Sequence, residues 1–221
     1  MSELLSPALL SLFVALLGAA LGLPIAIALG HLLAHGRGAV RVAVSALALL
    51  PLALPPVVTG YLLLLLLGRR GLFGGALEAM GVHVVFSTTG AVIASLVVGL
   101  PLYVVAARRA FETVDPALVE VARSLGASRS RVLFDVELPL ARRGLAAGAL
   151  LAFARALGEF GATVVLAGDV PDRTRTIPLA VYAALSRPGG EALAAQLAAL
   201  SVAFSVSALI AHELWSSRGR P

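Results

Sequence analysis

The sequence predicts an all-α protein that crosses a membrane five times. Three observations predict this class. Of 221 residues, 59% are hydrophobic and only 13% charged, against about 25% charged in an average soluble domain, and the mean hydropathy is +0.98. The apolar residues gather into five runs near the ~20 residues that a bilayer-crossing helix needs. The charges instead collect in one polar island, 108–143. The whole chain, 1–221, reads as one membrane domain with spans over 7–33, 42–67, 84–107, 144–168 and 192–211.

Composition also removes functions. There is no cysteine, hence no disulfide and no thiolate metal site. All 17 basic residues are arginine, and a phosphate-binding P-loop needs its lysine, so the chain is not itself a P-loop ATPase. The pI near 10.9 reflects arginines at helix ends rather than a nucleic-acid partner. No cofactor motif occurs. The N-terminus does not read as a cleavable leader: its first charge is Glu3, and the apolar run outlasts a signal core.

Span one carries no charge between Glu3 and Arg37. Gly18 and Gly22 form a small-xxx-small pair suited to close helix contact, and Pro24 is a candidate kink. His31 and His35 near its end read as interfacial residues rather than metal ligands, because no carboxylate or third histidine accompanies them. Span two is interrupted by Pro51, Pro55, Pro56 and Gly60. Two adjacent prolines remove two backbone donors, and broken helices at membrane depth persist only where protein or a wet cavity receives the freed carbonyls. Pro55, Pro56 and Thr59 are therefore candidate pathway residues, with a packing kink as the plainer alternative. A glycine-rich connection, 71–81, leads to span three. Span four is unusual: Arg155 and Glu159 lie inside it, four apart, on one expected helix face. Charges at such depth cost about 2.5–3.5 kcal/mol each unless paired or hydrated, so the pair, with neighbouring Thr163, marks a pathway site, an interhelix contact or a shallow end of the span. The short apolar patch 177–185 reads as a re-entrant or surface helix, and span five is uninterrupted.

The island reads as two short helices around a tight corner. Asp115-Pro116 is a helix start. Leu118, Val119, Ala122 and Leu125 fall on one face, Glu120 and Arg123 on another. Gly126 is placed to end that helix, Ser128 to cap a second, and Pro139 to stop it. Such an element is either a loop lying along the membrane or a docking surface for a partner. Arginine bias orients the chain. With the island inside, eleven arginines, including Arg218 and Arg220, fall inside and five outside. That puts the N-terminus outside and the C-terminus inside.

Glu120, Ala122, Gly126 and Leu138-Pro139 match, at the right spacing, the cytoplasmic Glu-Ala-Ala loop of ABC-importer permease subunits, with Val121 and Val136 as mild departures. Residues 155–163, Ala167-Gly168-Asp169-Val170-Pro171, 173–182, 54–61 and 71–74 resemble the molybdate permease branch. Asp169 stands where Asn is expected, Asp172 where Gly is usual and Arg175 where Gln is common. The resemblance implies a type I permease core of five spans, without the further N-terminal span of many relatives. It implies a homodimer over two copies of an ATP-binding subunit, fed by an extracytoplasmic molybdate-binding protein, in the inner membrane. It implies that Glu120, Ala122, Arg123, Leu125, Gly126, Leu138 and Pro139 couple to the ATPase. Sulfate and thiosulfate permeases share part of the motif, and tungstate is nearly isosteric with molybdate. An intramembrane protease would need a Ser–His dyad or paired Asp at depth, and no Asp lies within a span. A secondary transporter would leave the island unexplained.

Overall fold

Three long helices, α1 (Ser2–His35), α5 (Thr88–Glu112) and α8 (Leu138–Leu157), pack side by side and organise the rest. They are seen in a computed structural model that describes residues 2–217. Arg218 and Arg220, counted above in the orientation, lie outside the described residues. The described residues hold helices and no strand. At 1.5 Å per residue the 34 residues of α1 span about 51 Å, more than the ~30 Å of a hydrocarbon core. Pro7 and Pro24 lie within α1 without interrupting it. Ala26, Leu33, Tyr103, Val104, Phe111 and Leu145 form the core between the three helices. Gly18 and Gly22 lie against α5 as the small-residue pair requires: a β carbon on Gly18 would sit 3.4 Å from the Leu96 backbone nitrogen.

The second expected span is two helices, α2 (Gly38–Ala53) and α3 (Pro56–Leu67), bent by 117°. A proline pushes its predecessor out of the helical region. Leu54 and Pro55 accordingly have ψ of 144° and 136°, and Pro56 opens α3. The interruption was expected; the sharpness of the bend was not. The glycine-rich connection contains a short helix, α4 (Gly74–Ala79).

Two further expectations need correction. Pro139 does not stop a helix. From α7 (Arg129–Val132) the chain passes through a π turn, Leu133–Glu137, directly into α8. The Leu138 N–H reaches back five residues to the Leu133 carbonyl. This wider turn lets the chain continue past a residue with no N–H of its own. At the other end, 144–168 is not one helix. α8 ends at Leu157, and α9 (Gly161–Leu166) begins after Gly158-Glu159-Phe160. The Glu159 carboxylate accepts the Ala162 N–H at 2.7 Å, so a side chain satisfies an opening donor of α9 and the α8 ladder need not continue.

Past α9 the chain crosses to α10 (Ile177–Leu185), which packs on α11 (Glu191–Ser217) and the start of α1. Ile177, Ala180, Leu197 and Ala8 form that contact, and the Ile177 N–H donates to Ser11 Oγ at 2.7 Å. Among the described residues, α1, α5 and α11 are long and apolar enough to cross a bilayer, and the bent α2–α3 pair adds a fourth if counted as one span. α8 has the length but carries Arg142, Arg143 and Arg155. Large side chains on the outer faces, among them Leu9, Leu47 and Leu65, are exposed, as contact with lipid tails allows.

The two histidines also need a correction, because a carboxylate does accompany them. Glu137, 106 residues from His31 in sequence, sits 3.0 Å from the Nε2 of both His31 and His35.

Candidate coupling surface and pathway

The island forms a stiff knuckle. α6 (Pro116–Ser124) begins where Asp115 Oδ1 accepts the Ala117 N–H at 2.9 Å, with Pro116 in its first turn. It ends in a double clasp: the Gly126 N–H reaches the Arg123 carbonyl at 2.9 Å, and the Ala127 N–H reaches the Ala122 carbonyl at 3.0 Å. This pairing is the Schellman closure, which requires a left-handed residue at its corner. Gly126 supplies it with φ +86°. Ser128 then caps α7 by accepting the Arg131 N–H. Both caps and the corner stand where the sequence placed them.

The faces of α6 differ from expectation. No residue of α6 is buried. Val119 and Ala122 are half-buried, whereas Leu118, Val121 and Leu125 are 48%, 57% and 83% exposed. The helix therefore presents an apolar stripe at i, i+3 and i+7 away from its own protein, flanked by exposed Glu120 and Arg123. A stripe so placed meets another surface or stays in unfavourable contact with water. Leu138 is half-buried and Pro139 exposed at the opening of α8.

The candidate pathway residues divide into a close group and an outlier. α3 and α9, the segments that follow the two breaks, pack on each other. A β carbon on Gly60 would lie 2.7 Å from Ala162 Cα, and one on Gly161 would lie 2.8 Å from Pro56 Cβ. Backbone approach this tight places Pro56 and Thr59 against the segment holding Thr163, with Pro55 at the N-cap of α3. The hydroxyls of Thr59 and Thr163 are buried without a hydrogen-bond partner. Glu159 is 2% exposed. One of its oxygens takes the Ala162 N–H and the other the Arg155 guanidinium at 3.0 Å. Arg155 stands in the last turn of α8 and Glu159 beyond its end, so the two do not share a face of one helix, yet they pair. Arg155 is the outlier, its side chain 31% exposed. The contact role of Gly60 was not legible: it read as an interruption of span two, and only its neighbour Ala162 shows why the β carbon must be absent.

The three departures in the segment after α9 are mutually consistent. Asp169 and Arg175 form a two-point ion pair at 2.6 and 3.0 Å. Asp172 adopts φ +59°, a conformation glycine takes freely and Asp tolerates, and accepts the Ser6 hydroxyl at 2.8 Å. A double-mutant cycle with Asp169→Asn and Arg175→Gln is expected to give a coupling of about 1 kcal/mol in thermal or denaturant unfolding, at the upper end for a partly exposed pair because both contacts align. A coupling near zero would mean that the pair does not form.

Residues 22–220 match the family described as the binding-protein-dependent transport system inner membrane component. The chain belongs to that family. This permease is 45% identical over 211 residues to the molybdenum transport system permease protein ModB of Escherichia coli K12, covering 95% of this chain and 92% of that one. It is 41% identical over 166 residues to the chloroplastic sulfate permease 2 of Chlamydomonas reinhardtii, covering 75% of this chain and 43% of that one. Its fold resembles a chain of the MetNI methionine ABC transporter in an inward-facing conformation, with TM-score 0.73, 16% identity, and coverage of 98% of this chain and 96% of that one. The permease is thus an all-helical, multi-pass transport subunit of the inner membrane.

Proposed function

We propose that this permease carries molybdate inward across the cytoplasmic membrane in an ATP-driven importer. The observation that carries the reading is the knuckle around α6: it is capped at both ends, nowhere buried, and apolar on its outward face. A membrane transporter working alone has no need of such a surface; one driven by a separate ATPase does. Glu120, Ala122, Arg123, Leu125 and Gly126, with Leu138 and Pro139 behind them, form the coupling surface. Two copies of the permease stand over two ATPase subunits, and an extracytoplasmic oxyanion-binding protein delivers the substrate. The chain contributes no catalytic residue, and ATP hydrolysis belongs to the partner. Five spans, with α8 and α9 as a broken fourth, put the knuckle inside, the N-terminus outside and the C-terminus inside.

The two broken segments form the path, with Pro55, Pro56, Thr59 and Thr163 on the α3–α9 contact and Arg155–Glu159 beside it. A rigid knuckle transmits displacement of the ATPase to the helices as a body. The broken segments offer the freed polar backbone that a dianion needs, and the one cation beside them, Arg155, is paired with Glu159 rather than free to trap it. Molybdate rather than sulfate is supported by identity over nearly the whole chain to the bacterial molybdenum permease.

The test is vanadate-sensitive ATP hydrolysis by the reconstituted complex with its binding protein. Molybdate is expected to stimulate it several-fold and sulfate not at all. Stimulation by sulfate alone would replace the substrate assignment, and hydrolysis without a stable permease–ATPase complex would overturn the coupling assignment.

A further inference from the structure

The strongest unassigned cluster lies where the cytoplasmic end of α1 meets the π turn. His31 and His35, one turn apart on α1, both direct Nε2 at the carboxylate of Glu137: His31 meets Oε2 and His35 meets Oε1, each at 3.0 Å. Glu137 is 3% exposed. The His31 ring is held edge-on by Phe111 at 5.3 Å between centroids and stands 4.5 Å from the His35 ring. The other nitrogen of His35, Nδ1, lies 3.1 Å from the His31 carbonyl. A carbonyl oxygen has no proton to give, so Nδ1 carries the hydrogen. In a neutral ring that leaves the Nε2 lone pair facing a carboxylate oxygen. Two lone pairs at 3.0 Å repel unless something positive lies between them, either a second proton or a metal ion.

We propose that His31, His35 and Glu137 bind a divalent transition-metal ion of the zinc class. Two imidazoles and one carboxylate suit Zn²⁺, Co²⁺ or Ni²⁺ rather than Mg²⁺ or Ca²⁺, which favour all-oxygen shells. The three ligand atoms lie within 4.8 Å of one another. Tetrahedral coordination at about 2.0–2.2 Å from each ligand brings them to roughly 3.4 Å apart. Each Nε2–carboxylate contact, now 3.0 Å, would widen slightly, and the partly exposed imidazoles can make that adjustment by side-chain rotation while Glu137 stays in place. The hydrogen bond from Nδ1 to a backbone carbonyl is the outer contact that orients metal-bound histidines. Three protein ligands leave a fourth position for water. The bound ion joins the last turn of α1 to the residue just before Leu138-Pro139, on the buried side of the island, leaving the exposed stripe of Leu118, Val121 and Leu125 clear. It acts as a staple between the first span and the π turn, and its binding can be read without any transport assay.

The experiment uses the full chain in complex with its ATPase partner, purified without a histidine tag, with Zn²⁺ alone titrated against a chromophoric chelator and Co²⁺ alone as a spectroscopic probe. The wild type is expected to bind one Zn²⁺ per permease chain, to show a four-coordinate Co²⁺ spectrum and to unfold at a higher temperature with Zn²⁺ present. Glu137→Gln, which preserves shape and a hydrogen bond, is expected to weaken binding more than about 100-fold, beyond the 10–100-fold that an outer-shell loss costs. The pair His31→Asn and His35→Asn is expected to abolish it, and His83→Asn to leave it unchanged. Equal affinity in wild type and Glu137→Gln would overturn the site. So would a wild type with no stoichiometric Zn²⁺, in which case the cluster is a protonated ion pair only. Unfolding temperatures without metal show whether each variant is folded.

Discussion

Gly126→Val is expected to abolish ATP-driven uptake while the permease still inserts and folds. The corner at φ +86° is open to a left-handed residue, and nothing lies within 4 Å of the place a β carbon would occupy. The penalty is therefore conformational rather than steric against a neighbour. A non-glycine residue there costs about 1–2 kcal/mol, and a β-branched one more. α6 has no buried side chain, so little tertiary packing opposes the strain. The relief is local: the Gly126 and Ala127 N–H groups release the Arg123 and Ala122 carbonyls, and the last turn of α6 frays. Fraying costs little stability but removes the stiffness that the proposed force transmission needs. Uptake is expected to fall in the order Gly, Asn, Ala, Val, because Asn tolerates this conformation better than Ala. Glu120→Arg reaches the same end by another route, reversing an exposed charge with the backbone intact. The measurement is oxyanion uptake in proteoliposomes, with copurification of the ATPase as the control. A valine variant that transports at the wild-type rate would remove the knuckle from the mechanism.

The contrast between what the sequence revealed and what it hid has a physical origin. Asp115-Pro116, Gly126 and Ser128 act within two to five residues of themselves, so their signals are local and each stands where it was expected. Pro55-Pro56 announced a break, but the 117° between α2 and α3 depends on where α3 finds α9, and two prolines carry no such direction. Pro139 was misread because the rule that proline ends a helix assumes α spacing, and a π turn escapes it by one residue. The pairing of Arg155 with Glu159 was legible from their spacing, but the break between α8 and α9 was not, because it depends on Glu159 also accepting a backbone N–H three residues on. Glu137 was passed over entirely: its histidines lie about a hundred residues earlier, and only the packing of α1 against the end of the island joins them. The outward stripe of α6 was half legible. Helical spacing located Leu118, Val119, Ala122 and Leu125 but not Val121; Val119 and Ala122 turn toward the protein while Leu118, Val121 and Leu125 do not, and a sequence does not say which side has a neighbour.

Glu159→Gln, read beside Arg155→Gln and the double variant, is expected to separate structure from transport at the second break. Both Glu159 oxygens are engaged, and its side chain is 1% exposed while that of Arg155 is 31% exposed. Removing one partner of a buried pair costs about 3–5 kcal/mol when both ions are enclosed. Half-exposed Arg155 can reach headgroups or water, so about 2 kcal/mol is expected for Glu159→Gln, whose amide oxygen still accepts the Ala162 N–H. Glu159→Ala loses that contact as well and should cost more. Arg155→Gln is the more damaging change at the other end, because it strands a buried carboxylate, and leaving a buried charge uncompensated costs about 3–5 kcal/mol. The double variant removes both charges and should regain most of the lost stability. Its uptake then decides the role of the pair. If Arg155 and Glu159 only hold the break between α8 and α9 in shape, uptake returns along with assembly. If the guanidinium meets the passing anion, the complex assembles, the ATPase still couples, and uptake stays low. A double variant as unstable as Arg155→Gln alone would show that the two side chains do not pair in the membrane.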